Sequence, residues 1–388
     1  MIRNAFSVRK KLRMLVYGEP FTGKSTIAMQ FAYLKRTDGE DFRVLYLDTE
    51  GGSVDNYVDD LLENGVKPEN FQIVYTQSLN EVQDYIKKVT NDEDILDDDG
   101  DVILDAYGKP FRADAIVVDS ATILNLTTKE GLSAFSKRRA KVKADAQGLV
   151  GDAKAVKVEG AGMELKDYQT LNFKGQSMIL DLNASGVNYI VTCREKDETV
   201  NKEVNGIVSG VATGRKIPDG FKGQDYNVDT EFRLYRNPDD KSIVMAYFDK
   251  DRTGLHKDCE VVENLSLLEY QEVLDRSSKN KKVIIKNGLN DAVKTEMELT
   301  MRDLGIEDTE HAQVVSEAAC EEAASNGLDT VDVLRNKARQ MINSCTSPVK
   351  KAAMQKAVKD AGLPTALAKI TDAEVMAKVV AVMEEASA

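Results

Sequence analysis

Short apolar runs alternate along most of the chain with stretches of helical spacing. "RMLVYG" (Arg13–Gly18) is β-rich and stops at a glycine, and "KSTIAMQFAYLKR" after it repeats its apolar residues at helical intervals. "FRVLYLDTEGG" and "FQIVYT" are the next apolar runs. "SLNEVQDYIKKV" follows, with Ser78 and Glu81 spaced as a capping box. "ADAIVVDSATIL", "GVNYIVTCRE", "TEFRLYRN" and "SIVMAYFDKDRTG" complete the set of buried-looking strands. Several are continuously apolar rather than alternating. That predicts an α/β fold, a mostly parallel twisted sheet covered by helices on both faces.

The rhythm breaks twice. Residues 91–113 hold the acidic stretch "NDEDILDDDGDVILDAYGKPFRA", expected as a solvated loop or hairpin insertion. From about Glu269 the chain turns polar and then alanine-rich. The expected organisation is a core over 1–268, a linker over 269–290 and an α-helical region over 291–388. Pro348 and Gly362–Pro364 divide that region into several helices. Its last helix, "TDAEVMAKVVAVMEEA", has Thr371 and Glu374 at capping-box spacing.

Composition narrows the picture only slightly. The 388 residues are 42% hydrophobic and 30% charged, as in soluble globular proteins. No apolar run approaches the ~18 residues that span a bilayer. The basic start has no apolar signal core, so a cytoplasmic location is expected. Cys193, Cys259, Cys320 and Cys345 lack metal or disulfide spacing and read as free thiols. A calcium loop in the acidic stretch fails its frame, because Ile95 and Ala106 would fall on obligatory ligand positions. The net charge of −13 argues against a general nucleic-acid coat protein, without excluding local basic loops.

The chemistry concentrates in "GEPFTGKST". Gly18 to Ser25 fits G-x-x-x-x-G-K-[ST] at every fixed position, between a strand and a helix. In such a loop the backbone N–H groups of Glu19, Pro20's neighbours, Phe21, Thr22 and Gly23 surround phosphate oxygens near a helix N-terminus, with Thr26 just behind. Gly18 and Gly23 permit the backbone path, Lys24 reaches the β/γ-phosphates, and the Ser25 hydroxyl binds Mg²⁺. A carboxylate at a neighbouring strand end completes a magnesium site, and Asp119 in "AIVVDS" is the candidate. Glu50, with Asp48 beside it, follows a further strand end and is the candidate for orienting water.

These three pieces together resemble the RecA-type ATPase core, in the order P-loop, D-T-E-G and hydrophobic-D-S. The resemblance implies an ATPase with ATP and Mg²⁺ as ligands, Glu50 as catalytic base and Asp119 on the metal. "AYFDKDRTGL" is similar to the K-x-R element of DnaB-like and KaiC-like members, which implies Lys250 and Arg252 acting on a neighbouring subunit's γ-phosphate. Over about residues 10–270 the chain also resembles bacteriophage ATP-binding proteins built on a minimal RecA core, some of them single-strand annealing recombinases. Single-stranded DNA and a homo-oligomer, ring or filament, are the implied partners. The C-terminal helices either pack on the core or dock a protein partner. Where RecA has a γ-phosphate-sensing glutamine, this chain has Arg194 and Glu195, and Arg194 reads either as a sensor or as half of a surface ion pair.

Two segments match the RecA loops that line the DNA channel. One holds Lys137, Arg138, Arg139, Lys141 and Lys143; the other is glycine-rich and holds Arg215, Lys216 and Lys222. Phe135 and Phe221 are the candidate stacking residues. The resulting expectation is an ATPase coupled to single-stranded DNA in phage recombination or replication. A DnaB-like translocase and a nucleotide-gated assembly protein stay open beside it.

Overall fold

A computed structural model describes residues 10–204, 207–276 and 287–290, shorter pieces between 292 and 342, and then 348–365, 367 and 370–387. The chain divides into two units, Met1–Gly288 and Leu289–Ala388.

The first unit is built on one sheet. Its strands are β1 (Arg13–Gly18), β2 (Val44–Asp48), β3 (Phe71–Tyr75), β4 (Ala115–Asp119), β5 (Asn188–Val204), β6 (Ile207–Asp219), β7 (Thr230–Arg236), β8 (Val244–Asp251) and β9 (Val261–Glu263). The order is β3-β2-β4-β5-β1-β7-β8-β9, with β6 pairing on β5. β3 through β7 in that order run parallel, while β8, β9 and β6 add antiparallel pairs. The mostly parallel α/β sheet expected from the apolar runs is therefore present, with a mixed edge.

Alternation along the strands builds two cores. Met14, Val16, Val44, Tyr46, Val117 and Phe232 face one side, where Ile27 of α1 (Lys24–Met29) packs. Leu15, Leu45, Leu47, Ile116, Val118 and Tyr189 face the other. Val82 and Ile86 of α3 (Leu79–Thr90) and Met178 and Ile179 of α6 (Leu165–Ala184) cover that side. The remaining helices of the unit are α2 (Val58–Glu63), α4 (Ala121–Ala146), α5 (Gly151–Glu159) and α7 (Gln271–Arg276). Helix α7 lies inside the stretch expected as linker, because Val273 and Leu274 supply apolar contacts to the first core. Residues 277–286 of that stretch fall outside the described residues.

Register aligns the C-terminal ends of the parallel strands. Gly18 sits between Arg194 and Leu234, and Asp48 sits beside Asp119. The strands thus open one edge of the sheet to a common crevice. The acidic insertion lies at the opposite edge. It makes two tight reversals, closed by Leu96↔Val102 and Leu104↔Pro110 bridges, and anchors Ile95 and Phe111 in the second core. Buried Asp105 accepts bonds from the backbone N–H groups of Tyr107 (2.9 Å) and Lys109 (3.0 Å) and from Arg43 Nη1 (3.0 Å). Arg43 directly precedes β2, so this ion pair fastens the insertion to the N-terminal ends of the strands.

Both segments expected as DNA-channel loops are regular structure. The first is the 26-residue helix α4 followed by α5. The second is a β5–β6 ribbon that continues past the sheet. In the second unit, α8 (Pro348–Asp360) and α9 (Ala373–Ser387) pack Met354, Val358, Met376, Val380 and Met383 together with Leu334. Helix α9 is capped by Asp372, whose carboxylate accepts the N–H groups of Glu374 (2.8 Å) and Val375 (3.2 Å), one residue later than the Thr371 box predicted. No helix among the described residues is long and apolar enough to cross a membrane.

Burial works against the charged form of Asp105, and its two backbone N–H bonds and Arg43 outweigh that, holding its pKa below the ordinary carboxylate range. A depressed folded pKa gives stability that is present above the unfolded value and lost as pH falls through the folded one. Asp105→Asn should therefore lower the unfolding free energy by about 1.5–3 kcal/mol at neutral pH. The gap from wild type should close below about pH 4 in urea unfolding measured across pH. A gap that persists in acid would contradict the ion pair.

Candidate functional site

The P-loop is held by its neighbours. Gly18 takes φ +152°, and a Cβ there would stand 1.9 Å from the Leu234 carbonyl oxygen, so no other residue fits. Gly23 enters α1 at φ +82°. Phe21 also adopts a left-handed φ of +58°, and its carbonyl accepts a bond from Arg236 Nη2 at 2.6 Å. Thr22 closes the turn through Oγ1 to the Glu19 carbonyl (2.9 Å). Lys24 Nζ donates to the carbonyls of Gly18 (3.2 Å) and Glu19 (2.6 Å), and burial lowers its ammonium pKa. Arg233 ties the loop to β5, pairing with Glu195 at 2.7 Å and with Glu19 at 3.6 Å.

A cleft of about 510 Å³ opens beside this loop; Pro20, Lys24, Ser25, Glu50, Asp119 and Arg194 are among its walls. The three carboxylates expected at strand ends do different work. Asp48 accepts four backbone N–H bonds, from Glu50 (2.8 Å), Gly51 (3.0 Å), Gly52 (2.9 Å) and Ser53 (2.9 Å). It is spent on folding the turn that carries Glu50. Asp119 is buried and accepts hydroxyl bonds from Tyr46 (2.5 Å), Ser53 (3.1 Å) and Thr192. The Asp119–Ser120 peptide is cis. Glu50 is partly exposed; its Oε1 accepts from Ser120 Oγ (3.0 Å) and from Arg194 Nη2 (3.1 Å). Arg194 thus stands at the root of the β5–β6 ribbon with its guanidinium on Glu50.

Ser25 and Asp119 bring hard oxygen donors to one cleft, the chemistry Mg²⁺ selects. Asp119 already accepts three hydroxyl bonds, which fix its carboxylate at the cleft wall. A second cleft of about 500 Å³ adjoins the loop, lined by Phe21, Thr26, Gln30, Tyr57, Arg236 and Asn264. Phe21 is 91% exposed at its rim.

The basic candidates are placed less openly than the sequence suggests. Arg139 is drawn into an ion pair with buried Asp167 (2.5 Å) and lies near Glu164 (3.8 Å), joining α4 to the start of α6. Lys137 pairs with Glu159 (2.6 Å) and Lys143 with Glu164 (3.6 Å). Arg138 and Lys141 are exposed. Arg215 faces Asp249 (3.4 Å), Lys216 pairs with Asp197 (2.8 Å), and the Lys222 carbonyl meets Gln176 (3.5 Å). Phe221 is buried against Gly175, so its ring offers no stacking face; Phe135 is exposed.

Lys250 and Arg252 lie toward the N-terminal ends of the parallel strands, away from the P-loop of their own chain. Lys250 Nζ donates to the Asp225 carbonyl and sits opposite Glu231, whose carboxyl is pushed up to about 7 by burial and by Asp249 and Asp225. Lys250 is thereby committed to its own fold. Arg252 keeps 64% of its side chain exposed, 3.8 Å from Asp229.

Sequence reasoning overlooked Tyr46, Ser53, Thr192, Arg233 and Arg236. A hydroxyl inside an otherwise apolar strand, as in "VLYLD" and "IVTC", was the unused signal for two of them, Tyr46 and Thr192.

A P-loop at the end of a central parallel strand, flanked by strand-end carboxylates, defines a P-loop NTPase core. A family model described as "AAA domain" (AAA_24) matches residues 10–219, more than half of the chain, and the chain belongs to that family. Among 128 solved chains that match is a KaiC-like protein from the hyperthermophilic archaeon Pyrococcus horikoshii OT3. It is 15% identical with a TM-score of 0.33, and the match covers 66% of this chain and 83% of that one. No curated protein matches the sequence.

The division of labour among the carboxylates has a measurable consequence. Asp48→Ala strips four N–H groups of their acceptor and should cost about 3 kcal/mol of unfolding free energy, read by urea denaturation. Glu50→Gln should change it by less than about 1 kcal/mol, because its bonds to Ser120 and Arg194 sit on a partly exposed side chain. Equal losses would refute the distinction.

Proposed function

We propose that the protein is a Mg²⁺-dependent ATPase that acts as an oligomer. One observation carries this reading: the P-loop lysine, the Ser25 hydroxyl, Asp119 and Glu50 come from three separate segments and face one cleft. In the proposed mechanism Lys24 leaves the Gly18 and Glu19 carbonyls for the β/γ-phosphates, which its charge neutralises in ground and transition state alike. Ser25 and Asp119 would hold Mg²⁺, which when bound neutralises charge on the phosphate oxygens. Glu50 exchanges its bond to Arg194 for one to the attacking water and orients it as general base. The adenine ring of ATP would lie in the second cleft, against Phe21 and Tyr57.

The oligomeric part of the reading rests on Arg252. Exposed and remote from its own P-loop, it is the cation suited to reach a neighbour's γ-phosphate. Coupling to single-stranded DNA belongs to the same proposal. A strand bound along the β5–β6 ribbon would shift Arg194 at its root and so free Glu50. The ATPase rate measured with and without single-stranded DNA tests this: stimulation supports the coupling, and an unchanged rate favours an assembly protein. Strand displacement would favour a translocase.

Lys24→Ala should abolish nucleotide binding. Glu50→Gln should bind ATP and hydrolyse it at least ~100-fold more slowly, since it acts only on the attacking water. Near-normal turnover in Glu50→Gln would remove it from the mechanism.

Arg252→Ala should bind ATP normally and hydrolyse it poorly. Mixing it with Lys24→Ala should restore activity, because some interfaces then join an intact loop to an intact Arg252. Mixed oligomers that stay inactive would return Arg252 to a structural role.

A further inference from the structure

The alternation in "TEFRLYR" turns Phe232 and Leu234 into the first core and Glu231 and Arg233 to the opposite face of β7. A charged strand face ordinarily meets water. Glu231 does not. It is 7% exposed, and its carboxyl makes no hydrogen bond or ion pair among the described residues.

The groups around it are committed elsewhere. On β8, Lys250 donates to the Asp225 carbonyl, in the short turn at 224–227, and Asp249 accepts the Tyr17 hydroxyl of β1 (2.6 Å). On β6, Arg215 turns to Asp249 (3.4 Å). Farther along β7 on the same face, Arg233 pairs with Glu195 of β5 (2.7 Å). The Asp225 carboxylate and the buried Cys193 thiol of β5 complete its titratable surroundings.

What covers Glu231 is the foot of the β5–β6 ribbon. The Lys216 carbonyl accepts from Tyr17 on β1 (3.3 Å), while Arg215 reaches Asp249 on β8. Strand β7 runs between those two strands, so the foot crosses over it. An ionised carboxylate beneath the foot has neither partner nor water. Burial, with the charges of Asp249 and Asp225, pushes the Glu231 carboxyl up to about 7 from its ordinary 4.5.

We propose that Glu231 is a proton-operated latch for the ribbon. Protonated, it lies beneath the closed foot; ionised, it draws in water and lifts Arg215 and Lys216 from β8 and β1. A carboxyl raised in this way stabilises the closed foot fully below its ordinary value, and that contribution is lost as pH rises to about 7. The latch needs no nucleotide, so it holds or fails separately from ATP hydrolysis.

Hydrogen exchange of the full chain, read by mass spectrometry and corrected for intrinsic rates, tests the latch across pH. Protection of the foot amides at 215–219 should fall at least ~10-fold between about pH 5 and about pH 8, then level off. Glu231→Gln should abolish the fall and leave the foot at least ~10-fold better protected than wild type at about pH 8. Peptides from α3 should show no such fall in either protein. Where Glu231→Gln does not fold, Asp249→Asn takes its place. It removes the charge beside Glu231 and should shrink the fall at least ~3-fold. A foot whose protection ignores pH, a fall that survives Glu231→Gln or Asp249→Asn unchanged, or an equal fall in α3 would overturn the proposal.

Discussion

The crevice depends on the carboxylate of Asp48. It ends a buried strand beside Asp119, and its two oxygens accept four successive turn N–H groups. Those bonds curl the chain so that Glu50 returns toward Ser120 and Ser53 reaches Asp119. An unpaired buried carboxylate would be costly; four N–H donors make it a template instead. Glu50, two residues on, keeps its carboxylate at the cleft, where it bonds Ser120 and Arg194 rather than the turn.

The same economy governs the cations around the loop. Arg233 and Arg236 spend their guanidinium groups on Glu195, Glu19 and the Phe21 carbonyl, which positions the backbone of the P-loop from β7. Arg194 is the exposed arginine of this group and touches the proposed base. A side chain at the foot of a ribbon and on the rim of the cleft is placed to report what happens on either.

The sheet was legible because continuous apolar runs admit few arrangements, and each quoted run became a strand. The P-loop path was legible because Gly18 and Gly23 encode backbone angles that other residues resist. Helices α4 and α5 and the ribbon were less legible. Glycines in "EVNGIVSGVATG" suggested a loop, but cross-strand pairs such as Val200↔Val211 overrode that local signal. The partners of Arg139 lie 25 to 28 residues onward, at Glu164 and Asp167, so no local pattern announced that the cation was already spent. Asp48 and Glu50 look alike in sequence, and only the turn separates scaffold from candidate base.

The most direct test is phosphate release by the wild-type protein supplied with ATP, followed with excess Mg²⁺ and again with EDTA. The account predicts steady release with Mg²⁺ and none with EDTA. Tight ATP binding without release, at protein concentrations where oligomers are present, would contradict it.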